Sequence, residues 1–546
     1  MKDLKNILAG MVLATISLGA EAQTQAKDTT VSRTVVVEQE YNPDIMDASK
    51  INVLPRIEQT AVSKKEVEYD ATLSPAGNIP VGLMQVYTGK EIRTKTQPGY
   101  VRLGHGNYGN LDVHANYLFA LSDKDRLNLM FKMDGMNGKL NMPDNSGKWK
   151  SFYYRTHASM DYAHAFDKVD LDIAGKFGLS NFNFLPGSVK NKQKFTSGDV
   201  HIGIKSTGDD FILRFRAETN LLFYERQQDF GFSGTKETII RTKAETTGNI
   251  SENQFVGVAF AMDNIFYNCH ILQNHHDLNF NPYYRIQEED WKVRIGAHVD
   301  LAFGFGKKVR VSPDITAEYT FADSYTLYAQ AKGGKLQNDF RRLETLNPYG
   351  MLTEQADATY EQLNAALGFK ASPAPEVWLN LYGGYQKLKN DLVFFPDFNS
   401  AALLLRAMQA DTGNLYAGIE AGYNHKDFVT FSASGVYRNW NADAEELAKA
   451  SILAFKPSLE VNLRMDMRPM TSVLFSLGYH HSSRQKADGR KAEPAVNNLY
   501  LGGSYELFKG ISVYARINNL LNKDYQYYWM YGAEGINFVG GVSFQF

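Results

Sequence analysis

The sequence contains a single cysteine, Cys269, so no disulfide can form within this chain of 546 residues. An excess of charge is also missing, because 58 lysines and arginines are matched by 60 aspartates and glutamates, for a formal net charge of −2. Nucleic-acid-binding domains carry a strongly basic surface, so we expect no nucleic-acid partner. The fold must therefore be held together by packing and hydrogen bonds rather than by disulfides.

Long hydrophobic runs are scarce as well. One short apolar run, residues 7–18, follows two lysines and precedes an Ala-Glu-Ala sequence at residues 20–22. This order is typical of a secretory signal peptide, so we assign residues 1–22 to one. An N-terminal membrane anchor is the alternative, but the run is too short and too interrupted to span a bilayer. Beyond it no stretch approaches the ~18 consecutive apolar residues of a transmembrane helix, so membrane insertion would have to use β-strands.

The chain is instead rich in aromatic residues, with 31 tyrosines and 33 phenylalanines, and its apolar residues alternate with small or polar ones. A repeat of period two is typical of β-strands. Aromatic residues in such numbers suit the girdles that a membrane barrel places at the two lipid–water interfaces. The clearest alternating runs are residues 127–133, 169–180, 291–306, 415–423, 473–479, 511–517 and 536–546.

Short polar turns separate these strands in pairs. Between successive turns lie one strand, a loop of variable length and a second strand, and short turns opposite long loops are typical of outer-membrane barrels. Ten turns, with both chain ends on the same side, predict about 22 strands. The predicted turns lie at residues 122–125, 167–168, 208–210, 249–253, 288–290, 322–323, 373–375, 424–427, 468–469 and 508–510.

The predicted fold is therefore all-β, a large antiparallel transmembrane β-barrel over residues 98–546. A soluble β-sandwich also shows alternation, but many of these runs reach the ~9–11 residues that a tilted strand needs to cross a bilayer. Residues 23–97 form an N-terminal segment that we expect in the periplasm or in the barrel lumen. Two long loops are predicted at residues 333–359 and 389–413. The second loop is apolar, so we expect it to pack inward, on neighbouring loops, or against a partner.

Two parts of the chain resemble a known family. Residues 517–525, with the final strand that ends at Phe546, look like the last two strands of TonB-dependent outer-membrane receptors. Residues 359–369 and 385–393 are similar to a mid-barrel strand pair of the same family. The resemblance implies location in the outer membrane of a Gram-negative bacterium, with lipid around the barrel. It also implies that Phe546 belongs to a signal read by the barrel-assembly machinery.

The N-terminal segment departs from the family pattern. Family members carry a folded plug domain inside the barrel, and about 75 residues between Gln23 and the first strand are too few for one. Residues 34–37 resemble the family's energy-coupling box loosely, which would imply a TonB-type coupling protein as partner, whereas an extended periplasmic tail is the alternative. A barrel of this size needs something in its lumen. We expect residues 30–97, an inward-folded loop such as residues 392–408, or a separate protein to fill it.

Three functions remain open at this stage. The resemblance implies a TonB-dependent-receptor-like barrel for transport or gating of a bulky solute. The short N-terminal segment leaves a second interpretation, a plugless structural or secretion-associated barrel completed by a periplasmic or surface partner protein. An outer-membrane barrel enzyme is the third. We favour transport, and we expect no enzymatic activity.

Several motifs suggest chemistry that we do not assign. Residues 104–109 match G-x-G-x-x-G, but a strand follows them, so a tight turn is favoured over a dinucleotide site. Soft and borderline metal ligands cluster around Cys269, and polar groups that could include a catalytic set lie on two strands. Polar residues are expected to line a lumen in any case. We therefore assign no catalytic, metal or cofactor-binding residue and no cofactor; the residues considered are Cys269, His270, His275, His276, Asp277, His298, Asp300, His480, His481, Ser482 and Ser483.

Overall fold

The computed structural model describes residues 98–546, apart from residues 143–146, 186–191, 208–210, 212, 230–231, 323, 353, 397–404, 427 and 486–492. The signal peptide predicted at residues 1–22 and the N-terminal segment predicted at residues 23–97 lie outside the described residues. The turns predicted at residues 208–210, 322–323 and 424–427 lie wholly or partly outside them as well.

The described chain forms a closed antiparallel barrel whose wall has 22 strands, which confirms the predicted fold class. Strand β1 pairs with the last strand, β25, and the backbone amide of Gly99 donates to the carbonyl of Phe546 at 2.9 Å. No edge is left unpaired by this closure. The wall strands are β1 (Gly99–Gly106), β2 (Leu111–Ala120), β3 (Asp125–Asn141), β4 (Lys148–Ala165), β5 (Val169–Asn183), β6 (Lys192–Ser206), β7 (Leu213–Asp229), β8 (Phe232–Ser251), β9 (Gln254–Tyr267), β10 (His275–Gln287), β11 (Trp291–Phe303), β12 (Val309–Phe321), β13 (Tyr325–Leu336), β15 (Thr359–Ala374), β16 (Val377–Pro396), β17 (Leu405–His425), β18 (Val429–Ala442), β19 (Pro457–Met470), β20 (Val473–Arg484), β21 (Val496–Phe508), β22 (Ile511–Asn518) and β25 (Asn537–Gln545).

A few further elements lie in the connections. Residues Asn107–Gly109 form a 3-10 turn between β1 and β2. Two short helices, α1 (Phe340–Leu346) and α2 (Glu446–Leu453), precede β15 and β19, and three short strands are β14 (Gly350–Leu352), β23 (Gln526–Tyr528) and β24 (Tyr531–Gly532). Neither of the helices in the described ranges has the length and apolar content to cross a bilayer.

The two faces of the wall differ as the alternation predicts. On β25 the side chains of Phe538 and Phe544 are exposed on the outer face, whereas Val539 is buried on the inner face. The same division recurs on β5, where Phe177 is exposed outside and Phe182 is fully buried inside. Apolar side chains therefore coat the exterior, as lipid contact requires.

Some predicted boundaries were wrong. The turn expected at residues 468–469 lies inside β19, and the chain turns instead between Met470 and Val473. The apolar loop expected at residues 389–413 is largely a hairpin, because β16 runs to Pro396 and β17 begins at Leu405. The prediction failed because strands of about 9–11 residues suffice to cross a bilayer, whereas β16 and β17 have 20 and 21 residues.

Glycine–tyrosine contacts join neighbouring strands on the inner face of the wall. A Cβ atom at Gly368 would lie 2.1 Å from Cζ of Tyr328, and one at Gly478 would lie 2.1 Å from Cζ of Tyr500. The ring of each tyrosine thus covers the glycine of the next strand. Such cross-strand pairing of an aromatic ring with a glycine fixes strand register. The same contact recurs at Gly257 with Tyr283, Gly418 with Tyr382 and Gly384 with Tyr416.

The substitution Gly368→Val is expected to destabilise the barrel, because the new side chain would occupy the space of the Tyr328 ring. Overpacking of this kind costs about 1–3 kcal/mol or more. The temperature at which the purified barrel loses its compact electrophoretic mobility should fall. Gly175→Val is the matched control, since no atom lies within 4 Å of a Cβ at Gly175. Equal melting temperatures for the two variants would contradict the prediction.

Candidate functional site

Two connections on the long-loop side fold into the barrel. We call residues 337–358 the inner loop; it carries α1 and β14 between β13 and β15. We call residues 519–536 the last loop; it carries β23 and β24 between β22 and β25. Both loops contribute to one buried apolar cluster with side chains from the region of β3–β7 and from β16, β17 and β21. It is formed by Met136, Leu140, Trp149, Tyr153, Phe182, Phe184, Leu185, Phe195, Tyr224, Phe340, Leu343, Leu346, Tyr349, Met351, Leu352, Leu392, Leu405, Ala407, Val496, Tyr525, Tyr527, Tyr528 and Tyr531.

The inner loop crosses the lumen. It starts and ends on β13 and β15, yet Phe340 of α1 packs edge-on against Tyr224 of β7, with ring centroids 6.0 Å apart. Ser180 of β5 donates a hydrogen bond of 2.5 Å to Oε1 of Glu344, also in α1. Strands β5 and β7 lie far around the wall from β13, so these contacts can form only through the interior. Apolar burial on this scale stabilises the inward position of the loop.

The two loops meet at a pair of tyrosines. The rings of Tyr349 in the inner loop and Tyr531 in the last loop are stacked, with centroids 3.5 Å apart and planes at 14°. Tyr349 also contacts Phe182 of the wall at 5.2 Å, and Trp149 of β4 lies edge-on to Tyr531 at 6.0 Å. Aromatic pairs of this kind contribute about 0.5–1.5 kcal/mol beyond their area burial. The aromatic contact thus ties the two loops to each other and to the wall.

A buried arginine anchors the inner loop to the wall. Arg226 of β7 is fully buried, and its Nη2 donates to the carbonyl of Gly350 at 2.6 Å. Its guanidinium lies over the rings of Phe195 and Phe340, 4.9 Å and 5.8 Å from their centroids. On the other side, β14 pairs in parallel with the start of β17, from Gly350 opposite Leu405 onward. The loop is therefore held from two directions.

The start of α1 is fixed by carboxylates. The side chain of Asp339 caps the helix by accepting from the amide of Arg342 at 2.8 Å, and Glu237 of β8 accepts from the amide of Phe340 at 3.0 Å. Carboxylates in these positions satisfy amides that have no partner inside a helix. The guanidinium of Arg241 in β8 forms an ion pair with the carboxylate of Asp339, with Nη2 and Oδ2 3.7 Å apart. The orientation of α1 in the lumen is thereby set.

A cavity of about 350 Å³ lies between α1 and the inner wall. Its charged groups come from both sides, with Arg155, Lys176 and Asp199 on the wall strands and Arg341 and Glu344 on the helix. Arg155 is paired with Asp134 behind it at 2.9 Å. The lining residues are Tyr153, Arg155, His157, Lys176, Phe177, Gly178, Ser197, Gly198, Asp199, Tyr224, Arg341, Glu344, Thr345, Pro348 and Tyr528.

The Gly-rich motif at residues 104–109 forms a tight turn followed by β2, as expected from the sequence. Gly109 has a φ of +61°, which favours glycine. A Cβ at Gly106 would lie 1.8 Å from the carbonyl oxygen of Phe538, so this glycine permits the close approach of the last strand. The glycines of this motif thus allow the first and last strands to pack closely where the barrel closes.

The residues considered for metal binding are separated by strand geometry. His275 and Asp277 share the inner face of β10, with Nε2 and Oδ2 3.7 Å apart. His276 points to the other face and hydrogen-bonds Asn264 at 2.8 Å, and Cys269 and His270 precede the strand. Within the described ranges, no group of three His, Cys, Asp or Glu side chains is placed to hold a metal ion.

The residues considered for catalysis are also distributed among separate contacts. His298 is bonded to Asn281 at 2.9 Å, and Asp300 accepts from Asn279 at 2.8 Å. On β20, alternation divides the remaining group between the two faces, so that His480 and Ser482 face inward and His481 and Ser483 outward. His480 bonds Asn462, His481 bonds Asn497 and Ser483 bonds Ser458. The structure brings together no nucleophile, base and orienting acid from this set.

The inner loop was predictable from the sequence as a long connection, but its contacts with the wall and the last loop were not. Tyr349 and Arg341 lie in the loop predicted at residues 333–359, whereas Arg226 and Tyr531 carried no signal of their own. From the sequence alone, a single arginine in a strand cannot be distinguished from the other polar residues that line a lumen. A signal that could have pointed to the last loop is the aromatic density of residues 525–531, "YQYYWMY", which exceeds what an exposed loop needs.

Glu534 makes the last loop sensitive to pH. It is partly buried, it accepts from the side-chain amide of Asn110 at 2.9 Å, and burial raises its pKa to about 7. A raised pKa means that the inward position binds the proton more tightly than the released loop does. Proton binding by Glu534 therefore stabilises the docked last loop fully below about pH 4.5. This stabilisation is lost as the pH rises through about 7.

We therefore expect the last loop to release more readily above pH 7 than at pH 5. Limited proteolysis of the purified barrel between pH 5 and pH 8 would show cleavage in residues 519–536 rising with a midpoint near 7. The Glu534→Gln variant keeps the size and an acceptor oxygen for Asn110 but loses the titration, so its cleavage should not vary with pH beyond that of the protease itself. Parallel pH profiles for both proteins would contradict the assignment.

Solved structures share the barrel. The FrpB iron transporter from Neisseria meningitidis (F3-3 variant) aligns with a TM-score of 0.65 and 10% identity, over 83% of this chain and 82% of that one. The ferric-catecholate import receptor Fiu from Escherichia coli K12 aligns at 0.60 with 10% identity, over 83% and 82%. The copper transporter OprC aligns at 0.61 with 12% identity, over 82% and 80%.

These similarities confirm, at the level of the fold, the resemblance to the TonB-dependent receptor barrel. The names of these structures describe transporters and an import receptor. No protein-family model matches the sequence. A search of curated proteins likewise finds no match.

Proposed function

We propose that this chain is an outer-membrane transport barrel of a Gram-negative bacterium that passes a bulky solute through its lumen. The inner loop and the last loop would form its gate on the long-loop side. The observation that carries the proposal is the stack of Tyr349 on Tyr531 inside the barrel, where two loops from separate parts of the wall close on each other. The barrel fold shared with structures named as transporters supports the same conclusion.

A gate must be held firmly and still be able to move. The inner loop is held by separate side-chain contacts, by three paired residues of β14 and by an apolar cluster, whereas each wall strand is hydrogen-bonded along its backbone to two neighbours. Loops of this kind open at lower free energy than the sheet that supports them. Lids and loops of other proteins move in this way over rigid scaffolds.

The remaining partners follow from the same proposal. Residues 23–97 would occupy the periplasm or the lumen below the gate. A TonB-type coupling protein would act on this segment, with residues 34–37 as its contact. Phe546, at the end of the closing strand, would be read by the barrel-assembly machinery, and the exposed apolar exterior would contact lipid.

A reversible lock on the inner loop tests the proposal. Gln273 lies between β9 and β10, and its backbone N–H donates to Oε1 of Gln355 in the inner loop at 2.8 Å. With Cys269 changed to serine, cysteines at positions 273 and 355 can be joined by a cleavable bifunctional thiol reagent. Osmotic swelling of proteoliposomes in neutral oligosaccharides of graded size would report passage.

Passage should occur in the unlocked protein, fall on crosslinking and return when the reagent is cleaved. The single variant Gln355→Cys, treated in the same way, controls for modification alone. Equal passage in locked and unlocked protein would show that the inner loop does not gate the lumen. No passage above protein-free liposomes in the unlocked protein would also overturn the proposal.

A further inference from the structure

The outer face of β3–β6 changes from apolar to basic toward the long-loop ends of these strands. Nearer the middle, exposed apolar side chains occupy the outer positions, among them Phe131 of β3, Phe177 of β5 and Val200 of β6. Toward the long loops, the outer positions of β3, β4 and β6 carry exposed lysines instead. We call these residues the lysine band: Lys139, Lys148, Lys150, Lys192 and Lys194.

Alternation along the strands fixes the direction of the lysine band. Trp149 lies between two of the lysines on β4 and is buried on the inner face, and Gln193 lies between the two lysines on β6 and is also buried. Leu140, next to Lys139 on β3, is buried in the same way. Because successive residues of a strand point to opposite faces, all five lysines point to the exterior of the barrel.

Two aromatic residues place the lysine band at the edge of the membrane. Phe152 and Tyr154 occupy the two outer positions of β4 that follow Lys150 toward the apolar exterior. Aromatic side chains in membrane barrels concentrate at the lipid–water interface. The lysines beyond them therefore lie at the level of the lipid headgroups.

Two ammonium groups of the band are brought together by the register of the wall. Lys139 of β3 lies directly opposite Lys150 of β4. Like charges in this position repel, so the pair costs stability unless an anion lies beside it. Within the described part of the chain, none of the five lysines forms an ion pair or a side-chain hydrogen bond. No outer position carries an aspartate or glutamate in the fully described stretches 135–141, 148–156, 177–183 and 192–200.

The acidic residues near the band lie at its two edges. On β7, Asp229 ends the strand, and Glu225 has a carboxylate 3.7 Å from the ammonium group of Lys236 on β8. At the other edge, Asp524 of the last loop accepts from the side-chain amide of Asn141 at 3.2 Å. Glu225 and Asp524 thus have partners other than the band, and the facing lysines of β3 and β4 keep an excess of positive charge.

We propose that the lysine band binds the phosphate groups of lipid headgroups in the leaflet on the long-loop side, with Lys139 and Lys150 sharing one phosphate. Ammonium groups bind phosphate as flexible point charges, and clusters of lysines at a membrane surface attract anionic lipids. The acyl chains of the same lipid would lie along the apolar exterior below. The inference rests on the proposed function only for the location of the barrel in a membrane.

Titration of the purified full chain in a neutral detergent tests the inference. The probes are phosphatidic acid and diacylglycerol with the same fluorescent acyl chains, so that they differ only in the phosphate. Phosphatidic acid should bind at least tenfold more tightly than diacylglycerol, and added salt should reduce the difference. The double variant Lys139→Gln, Lys150→Gln should lose at least fivefold in affinity for phosphatidic acid and should bind diacylglycerol as the parent does.

The matched control is the double variant Lys307→Gln, Lys308→Gln. Both lysines are exposed in the connection between β11 and β12, so the control removes the same charge from a distant part of the wall. It should bind phosphatidic acid as the parent does. Glycerol 3-phosphate distinguishes a lipid from a free phosphate, and it should not displace phosphatidic acid at concentrations where the unlabelled lipid does.

Four results would overturn the inference. They are equal affinity for the two lipids, equal affinity for phosphatidic acid in the parent and the Lys139→Gln, Lys150→Gln variant, an equal loss in the control variant, and displacement by glycerol 3-phosphate. The titration requires neither passage through the barrel nor movement of the inner loop. Its failure therefore leaves the locked-loop experiment standing, and a failed lock leaves the lipid-binding result standing.

Discussion

A barrel without the inner loop is expected to conduct ions and solutes through its long-loop mouth. Leu336 at the end of β13 is paired with Thr359 at the start of β15, so residues 338–357 can be replaced by a two-residue turn without stretching the wall. Removing these residues deletes α1, β14 and Tyr349, so that Tyr531 loses its stacking partner. A barrel of this strand number has a wide lumen, so we expect single-channel conductance to rise about tenfold.

The deletion should be made both in the full chain and in a chain that begins after residue 97. A rise only in the second background would show that the N-terminal segment also obstructs the lumen. Glu354→Ala is the control, because Glu354 is an exposed residue of the same loop. Conductance that stays at the parental level in both backgrounds would mean that the inner loop does not close the barrel.

Loss of the buried arginine is expected to release the inner loop. Arg226→Ala removes the donor to the Gly350 carbonyl and leaves a space between the rings of Phe195 and Phe340. An unsatisfied buried carbonyl and a cavity of this kind cost about 2–4 kcal/mol together. The ratio of docked to released loop should therefore fall roughly a hundredfold. The wall itself should keep its melting behaviour.

Limited proteolysis measures this release directly, because cleavage within residues 337–358 needs an undocked loop. Arg216→Ala, on the same strand, is the matched control: its side chain is 44% exposed, and substitution there is expected to change little. Protection of the inner loop equal to that of the parent would show that β14 and the apolar cluster hold it without the arginine. A lowered melting temperature of the whole barrel would show that Arg226 stabilises the wall as well as the inner loop.

The barrel was predictable because its signals are local. Period-two alternation places each residue inside or outside from its nearest neighbours, and polar turns mark where strands reverse. A count of about 22 strands and a last strand paired within a closed barrel were predicted from these signals, and the structure has 22 wall strands with β25 paired to β1. Strand ends were less predictable, as β16 and β17 show, because these strands run further than the length needed to cross a bilayer.

The contact between the inner loop and the last loop could not be predicted in the same way. Tyr349 and Tyr531 belong to two loops that start from separate points of the wall and meet inside the barrel. No spacing in the sequence indicates that these two residues are in contact. Arg226 lies on an inward position like many lumen-lining residues, and its role depends on a carbonyl of a distant loop. The histidine and cysteine cluster was the more conspicuous pattern, yet alternation on β10 separates His275 from His276.

The last loop lies in the chain directly before the strand that closes the barrel. The loop lies between β22 and β25, so Tyr531 reaches its position against Tyr349 only as the final strand joins β1. A nascent barrel whose seam is still open would have the inner loop docked on the wall but no partner for Tyr349. The same stretch of polypeptide thus completes both the seam of the wall and the contact between the two loops.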